Sequence, residues 1–449
     1  MSGSNPERPE FEYRPLQAWS SLGILVLLSV SCYVDRYIIA LLIAPMKADL
    51  NLTDTQFGAA QGLAFALTFC ICAIPVGIAI DRYSRRLLIA AGVMIWSIGC
   101  IACGLAWDFN SLLLARMTVG GAEVVLLPGT MSLIGDLFPQ RRRGLAVGVF
   151  GAAALASFLV SYAGGGALIS FLDERGGLHL PSGEHLATWR AAFFIIGTPG
   201  FLLALLVLTI RDVRHSRSPA EIAKAQSSTE IFRNRSGVLI PYFVGIGSLV
   251  GIGAVVAQWA PAYMVRRFDI PVSEIGLWIG ISYGLIAPFA SIMTGIMLDR
   301  VYGSGVRTGP FWLAIIIAMF CGPVLIATFL QGHATAALII LSIGLVIHSS
   351  NAAINGACIQ LIAAPEARGR ISAIALLMTV GFGSGVAGFL VPLLSDYVIG
   401  SEAEIGTAIG IVVAGLSVMT VISFAIGLPR LRGLFHGQGS AVAAPERLA

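Results

Sequence analysis

The sequence predicts an all-α membrane protein with twelve transmembrane helices in two pseudo-symmetric six-helix halves. Three observations predict it: a composition too apolar to coat a water-facing surface, twelve apolar runs of spanning length, and an internal repeat. Of 449 residues, 57% are hydrophobic and 12% charged, with a mean hydropathy of +0.86. A soluble domain carries about 25% charged residues, so lipid must be the solvent for most of this chain. The net charge of +4 comes from basic residues dispersed among loops, and no nucleic-acid partner is expected. All seven cysteines lie inside apolar runs; Cys70/Cys72 and Cys100/Cys103 lack companions for a metal site, and no metal or cofactor is expected. Residues 1–15 are polar and the first apolar run is too long for a signal h-region, so no cleavable signal peptide is expected.

The apolar runs fall at 17–46, 55–80, 87–106, 110–137, 144–172, 189–210, 237–264, 273–298, 309–330, 334–362, 369–398 and 404–428, helices 1 to 12. About 20 residues cross a hydrocarbon core, and in lipid each run must be helical because its backbone has no water to bond. Of the 28 Lys and Arg, 21 fall in the termini and the loops on the terminus side and 5 in the opposite loops; the other two, Arg36 and Arg116, are inside helices. That asymmetry places both termini in the cytoplasm. Moving the helix count by one would destroy it.

The halves repeat. Gly77-Ile-Ala-Ile-Asp81-Arg82 closes helix 2 and Gly295-Ile-Met-Leu-Asp299-Arg300 closes helix 8, an offset of 218 residues. Arg143-Gly144 and Arg368-Gly369 open helices 5 and 11, an offset of 225. Two signatures at nearly one spacing point to duplicated halves. The domain reading is a cytoplasmic tail over 1–16, a first half over 17–210, a polar cytoplasmic linker over 211–236, a second half over 237–428 and a cytoplasmic tail over 429–449. Some amphipathic helix fits the linker's composition.

Charges at mid-membrane cost about 2.5–3.5 kcal/mol each on insertion scales and should be absent unless used. Helices 3, 6, 9 and 12 carry none in their interiors. Helix 1 carries Asp35 and Arg36, and helix 4 carries Arg116 and Glu123. These helices run in opposite directions, which brings Asp35, Arg36 and Glu123 to similar depth, with Arg116 about 10 Å nearer the outside. Asp35 and Arg36 point about 100° apart and pair poorly with each other. Glu123 has Arg36 or Arg116 as its natural partner, leaving Asp35 without an assured cation. A desolvated carboxylate without a partner becomes a proton carrier. Asp35 and Glu123 are therefore the proton-coupling candidates, and Arg36 and Arg116 the anion binders. The alternative is a buried ion network that only fixes helix packing. Neutral polar groups sit on helix 7 (Gln258, Tyr263) and helix 10 (His348, Asn351, Asn355), further substrate-binding candidates.

Gly77-x-x-x-Asp81-Arg82-Tyr-Ser-Arg85-Arg86 resembles the loop 2–3 signature of the major facilitator superfamily, with Ser84 where that signature has Gly. Arg116-x-x-x-Gly120 and Trp189-Arg190 resemble its helix 4 and helix 6 signatures. The resemblance covers about residues 15–430. It implies that helices 1, 4, 7 and 10 line a central cavity while 3, 6, 9 and 12 face lipid. It also implies a charged gate on the cytoplasmic side, built from Asp81, Arg82, Arg85, Arg86, Asp136 and Arg143 with Asp299, Arg300 and Arg368. The same arginines also serve as plain topological anchors.

Cys32-Tyr-Val-Asp35-Arg36-Tyr37 and Arg116-x6-Glu123-x4-Pro128-x7-Asp136-Leu-Phe-Pro139 are similar to stretches of the spinster family. One departure is Gly121-Ala122-Glu123-Val124, where that family reads Gly-Glu-Ala. This resemblance implies a proton-linked carrier of amphipathic anions such as lysophospholipids or sphingoid phosphates. The aromatics Trp259, Tyr263, Tyr283, Phe289 and Phe382 in the second half suit a lipid tail, or packing alone. The rival expectations are a carrier of small organic anions or drugs and a non-transporting receptor or sensor. No nucleotide-binding loop and no nucleophile–base set is present, so neither a primary pump nor an enzyme is expected. The expected setting is a bacterial inner membrane, with protons, membrane lipids and a small-molecule or lipid substrate as partners and the protein itself monomeric. Gly164, Gly165 and Gly166 in helix 5 and Gly381, Gly383, Gly385 and Gly388 in helix 11 are expected to permit close helix approach.

Overall fold

The computed structural model describes residues 13–179, 185–212, 228–363 and 367–442. The end segments of both tails, linker residues 213–227 and Pro365 of the second Arg-Gly motif lie outside the described residues. Twelve helices among the described residues are long and apolar enough to cross a membrane: Pro15–Leu41, Asp54–Arg82, Arg85–Gly104, Phe109–Leu137, Gln140–Glu174, Thr188–Val207, Arg235–Phe268, Val272–Gly303, Gly309–Thr328, Ala334–Ile362, Arg368–Ile399 and Glu402–Leu434. They are helices 1 to 12 below. A two-residue hairpin, Leu178–His179 with His185–Leu186, decorates the loop between helices 5 and 6.

Local chemistry sets the ends. Thr53 caps helix 2 in a reciprocal pair of hydrogen bonds with Gln56, and Asp108 caps helix 4 through Ser111. Helix 1, expected to run to 46, instead ends at Leu41, and a short helix over Ile43–Leu50 follows. Pro45 is the cause: it offers no N–H to the Leu41 carbonyl and its ring would collide with that group. Two further boundaries differ from expectation. Helix 7 is already helical from Ser228, inside the expected linker, and helix 12 continues to Val442 through the expected tail.

The two halves meet along helices 2 and 11 and along helices 5 and 8. The contact is close because glycines remove side chains from it: a Cβ on Gly276 would strike the Tyr162 carbonyl, and one on Gly385 would strike Ala66. Each of these four helices also contains a wide π-helical turn, at Ala59–Ala64, Leu159–Gly164, Ile281–Ile286 and Met378–Val386. Such turns loosen the i→i−4 ladder locally and recur at functional sites. Here they recur at corresponding places in the two halves.

On the face opposite the termini an ion cluster joins the halves. Lys47 lies 2.5 Å from Asp54 and 2.7 Å from Glu402, and Arg266 lies 2.6 Å from Asp54. The Thr55 backbone N–H and hydroxyl both donate to Asp396, at 2.8 and 2.7 Å. Toward the terminus side, by contrast, residues 140–149 of helix 5 and 292–300 of helix 8 are mostly exposed. The halves thus close on the far face and part toward the face that carries the termini.

Candidate functional site

The four intramembrane charges come together in the first half, and their pairing differs from the sequence expectation. Arg36 Nη2 lies 2.5 Å from Glu123 Oε2, one of the two partners the sequence left open. Asp35, expected to lack a cation, faces Arg116 instead, with Nη1 and Oδ1 4.0 Å apart. Helix 4 is what permits both contacts. Its regular turn stops at Glu123 and resumes at Leu126, because Pro128 cannot bond the Val124 carbonyl. Gly120, one turn before Glu123, packs directly on the Phe65 carbonyl of helix 2.

The two pairs are not equivalent. Arg116 is fully buried, Asp35 and Glu123 are 2% exposed, and the Arg36 side chain is 20% exposed. Both Asp35 carboxylate oxygens and all three Arg116 guanidinium nitrogens lack hydrogen-bond partners. The Asp35–Arg116 pair is therefore a sealed, loosely fitted contact, and Arg36 is the one cation of the four that reaches the cavity. That removes Arg116 from direct contact with a ligand in this conformation. The Arg36 guanidinium also lies over Phe65, 4.6 Å from the ring centre, and Arg116 shares that ring at 5.6 Å. An aromatic face holds a desolvated guanidinium without neutralising it. Neither Phe65 nor its role is visible in the charge pattern of the sequence.

A small cavity between the halves is lined by Arg36, Tyr37, Gln61, Phe65, Gln258 and Ser384, among others. Gln258, a substrate-binding candidate from the sequence, lines this cavity; its Nε2 donates to the Ser384 carbonyl and hydroxyl at 3.1 and 3.2 Å. Gln61 and Ser384 were not anticipated, because they lie on helices 2 and 11, outside the four helices expected to line the cavity.

The remaining second-half candidates lie elsewhere. Tyr263 is buried, packs on Phe329 and Phe268, and donates to the Phe329 carbonyl at 3.2 Å. Asn355 accepts from the Tyr242 hydroxyl at 2.6 Å, and Asn351 donates to the His348 carbonyl at 2.8 Å. Trp259 is fully buried and donates to the Gly388 carbonyl at 2.8 Å, which makes it a packing residue.

His348 follows Glu123 by 225 residues, the spacing of the two Arg-Gly motifs, and helix 10 is interrupted just after it as helix 4 is after Glu123. Its chemistry is different. Nε2 faces the Leu249 carbonyl at 2.9 Å and must donate there, which leaves Nδ1 to accept from the Tyr283 hydroxyl at 2.5 Å. A neutral imidazole donates at one nitrogen and accepts at the other; protonation would turn Nδ1 into a donor and oblige the Tyr283 hydroxyl to accept instead.

The residues expected to gate the terminus side divide. Arg85 is a buried hub, 2.5 Å from Asp136 and 2.7 Å from Asp212, with its Nη1 also donating to the Ser132 hydroxyl. Ser84 donates to Asp212 at 2.9 Å. Burial pushes the Asp212 carboxyl up, but the hydrogen bonds from Ser84 and Arg85 outweigh it and hold the group below the usual carboxylate range. Ser84, Arg85, Ser132 and Asp136 belong to the first half, and Asp212 lies at the start of the linker that follows it. Asp81, Arg82, Arg86, Arg143, Asp299, Arg300 and Arg368 are exposed at helix ends; the Arg143 Nε donates to the Phe138 carbonyl. The ion pairs described between the halves run through Lys47, Asp54, Arg266 and Glu402 on the opposite face. In the sequence Lys47 and Arg266 are two of the five loop cations on the side opposite the termini.

The sequence profile described as Major Facilitator Superfamily matches residues 25–388. An MFS-type efflux pump of Mycolicibacterium smegmatis is 26% identical over 424 residues, covering 93% of this chain and 94% of the pump. The hexuronate transporter of Escherichia coli K12 is 23% identical over 415 residues, covering 86% and 88% of the two chains. Among solved structures, a bacterial homologue of the human lysosomal transporter Spinster, inward-facing and unoccupied, superposes with a TM-score of 0.78. It shares 22% identity, over 93% of this chain and 98% of that one.

Proposed function

Given that this chain belongs to the major facilitator superfamily and is a multi-pass secondary transporter, not an enzyme, we propose that it carries an amphipathic organic anion coupled to protons, by alternating access. The observation that carries this reading is the Arg36–Glu123 pair, whose arginine reaches the cavity while its glutamate is buried. An anionic group entering the cavity competes with Glu123 for Arg36. Protonating Glu123 removes the competitor, so proton and anion share one free-energy term. Asp35, held 4.0 Å from Arg116 behind that pair, is the second proton site, reached when helices 1 and 4 shift. Arg116 is its counter-ion and not a ligand to the substrate.

Lysophospholipids and sphingoid phosphates fit a guanidinium that can fork onto phosphate beside the Tyr33, Tyr37 and Phe158 cluster, whose Tyr37 and Phe158 rings sit 4.6 Å apart. A second reading, small organic acids, is favoured by the relatives named as hexuronate and galactonate transporters. The positive-inside asymmetry supports cytoplasmic termini in a bacterial inner membrane, which makes the closed far face the outer one. Rocking the halves about the glycine-lined contacts would break the Lys47–Asp54–Arg266–Glu402 cluster as the outer side opens.

The deciding experiment measures binding to the purified protein by calorimetry, with oleoyl lysophosphatidic acid and with gluconate. Arg36→Ala should weaken binding of whichever anion the wild type takes by roughly ten- to hundred-fold. Competition of the lysolipid with a small acid separates the two substrate classes. Intact anion binding by Arg36→Ala removes the reading.

A further inference from the structure

Gln61 presents a buried amide that nothing in the protein uses. It sits in the wide turn of helix 2 over Ala59–Ala64 and is 6% exposed. Its Oε1 has no hydrogen-bond partner, although a buried carbonyl left unpaired is destabilising. It lines the same cavity as Arg36, opposite Gln258 and Ser384 of the other half. The neighbouring amide is already committed: Gln258 Nε2 spends its protons on the Ser384 carbonyl and hydroxyl. The hydroxyl of Ser384 accepts in that contact, which leaves its own proton to donate.

We propose that Gln61, with Ser384 across the cavity, is a specificity element that binds a substrate hydroxyl adjacent to the anionic group held by Arg36. The inference rests on the assignment of Arg36 as the anion anchor. A hydroxyl is the group that fits, because it donates to the Gln61 carbonyl and accepts from Ser384 at once. An apolar substituent there would leave the amide unpaired, which is how sites built around a buried polar group reject analogues that lack its partner. The ligand class is a hydroxylated organic anion, and two sources share that chemistry. One is the free secondary hydroxyl of a lysolipid glycerol phosphate. The other is the hydroxyl next to the carboxylate of a sugar acid.

The test uses the full chain in detergent and two matched pairs. The lipid pair is oleoyl lysophosphatidic acid and its deoxy analogue, oleoyl propanediol phosphate. The small pair is gluconate and 2-deoxygluconate, which lacks only the hydroxyl next to the carboxylate. Dissociation constants are measured by calorimetry. The wild type is expected to prefer the hydroxylated member of one pair by about ten-fold, the scale of one buried hydrogen bond with its unpaired penalty, and the pair that binds identifies the source. Gln61→Leu should bring that ratio to near one. Binding of the deoxy member by the same variant reports that it is folded; if the leucine variant does not fold, Gln61→Asn, whose shorter amide withdraws from the cavity, should lower the ratio instead. A hydroxyl preference that persists in either folded variant, or one absent from the wild type, overturns the proposal. Anion affinity left unchanged by Arg36→Ala overturns the anchor reading, a separate outcome.

Discussion

Arg36 and Glu123 meet at 2.5 Å between helices 1 and 4, and the arginine alone of the two is open to the cavity. In the proposed mechanism an anion approaches the cation from the cavity side and competes with the buried carboxylate for it. Removing the guanidinium takes away the charged half of any hydrogen bond to the substrate. Arg36→Ala should weaken anion affinity by roughly ten- to hundred-fold, and Arg36→Lys should recover only part of it, since a point charge does not reproduce the fork. Calorimetric titration reads both variants.

The Asp35–Arg116 pair is buried, and removing one partner of a buried pair costs about 3–5 kcal/mol because it strands the other charge. Arg116→Leu should lower the thermal stability of the detergent-solubilised protein markedly. The double variant Asp35→Asn/Arg116→Leu should recover most of that loss. Additive destabilisation would mean that the two side chains do not interact.

His348 is bonded as a neutral imidazole, donating from Nε2 and accepting at Nδ1. His348→Gln should cost about 1–3 kcal/mol of stability through the unpaired Leu249 carbonyl and Tyr283 hydroxyl. Its transport should keep the wild-type pH profile. A profile displaced by a full unit would make His348 a proton site after all.

Asp212 anchors the end of helix 6 to Arg85 on the terminus side. Its carboxyl is held below the ordinary range, so its contribution to stability is complete above the unfolded value of about 3.9 and is lost as pH falls through the lower folded value. Asp212→Asn should lower the melting temperature at pH 7. The gap between variant and wild type should shrink as pH is lowered below about 4. A gap independent of pH would show that the contact works without its charge.

Lys47, Asp54, Arg266 and Glu402 tie the halves together on the far face. Asp54 is central, since both cations pair with it, and Asp54→Ala should shift the population toward opening on that side. Spin labels at Asp173 and Asp269, exposed far-face positions in different halves, should report a longer mean distance in the variant. An unchanged distance distribution would remove the cluster as a latch.

Much of the fold was legible because the bilayer makes length and polarity decisive: all twelve spans lie within a few residues of their apolar runs, except where helix 12 runs on past its expected end. Pro45 explains the early end of helix 1, a break that a hydropathy window passes over. Charge separation predicted that Arg36 or Arg116 would meet Glu123. It did not predict that Arg116 would turn to Asp35, because that choice depends on side-chain direction around the irregular turn after Glu123. Gln61 stayed hidden for a different reason. It sits on helix 2, outside the helices expected to line the cavity, and it stands out only once burial and missing hydrogen bonds are visible. The far-face cluster stayed hidden because it joins Lys47 and Asp54 to Arg266 and Glu402, which the chain order keeps far from them and from each other.

The central claim is that one buried carboxylate couples protons to the anion at Arg36. The most direct measurement is anion flux into proteoliposomes across a range of pH gradients, for wild type and for Glu123→Gln. Wild-type flux should depend on the gradient. Flux through Glu123→Gln should no longer respond to it, although the variant still binds the anion. A gradient dependence unaltered in Glu123→Gln would rule out Glu123 as the coupling carboxylate.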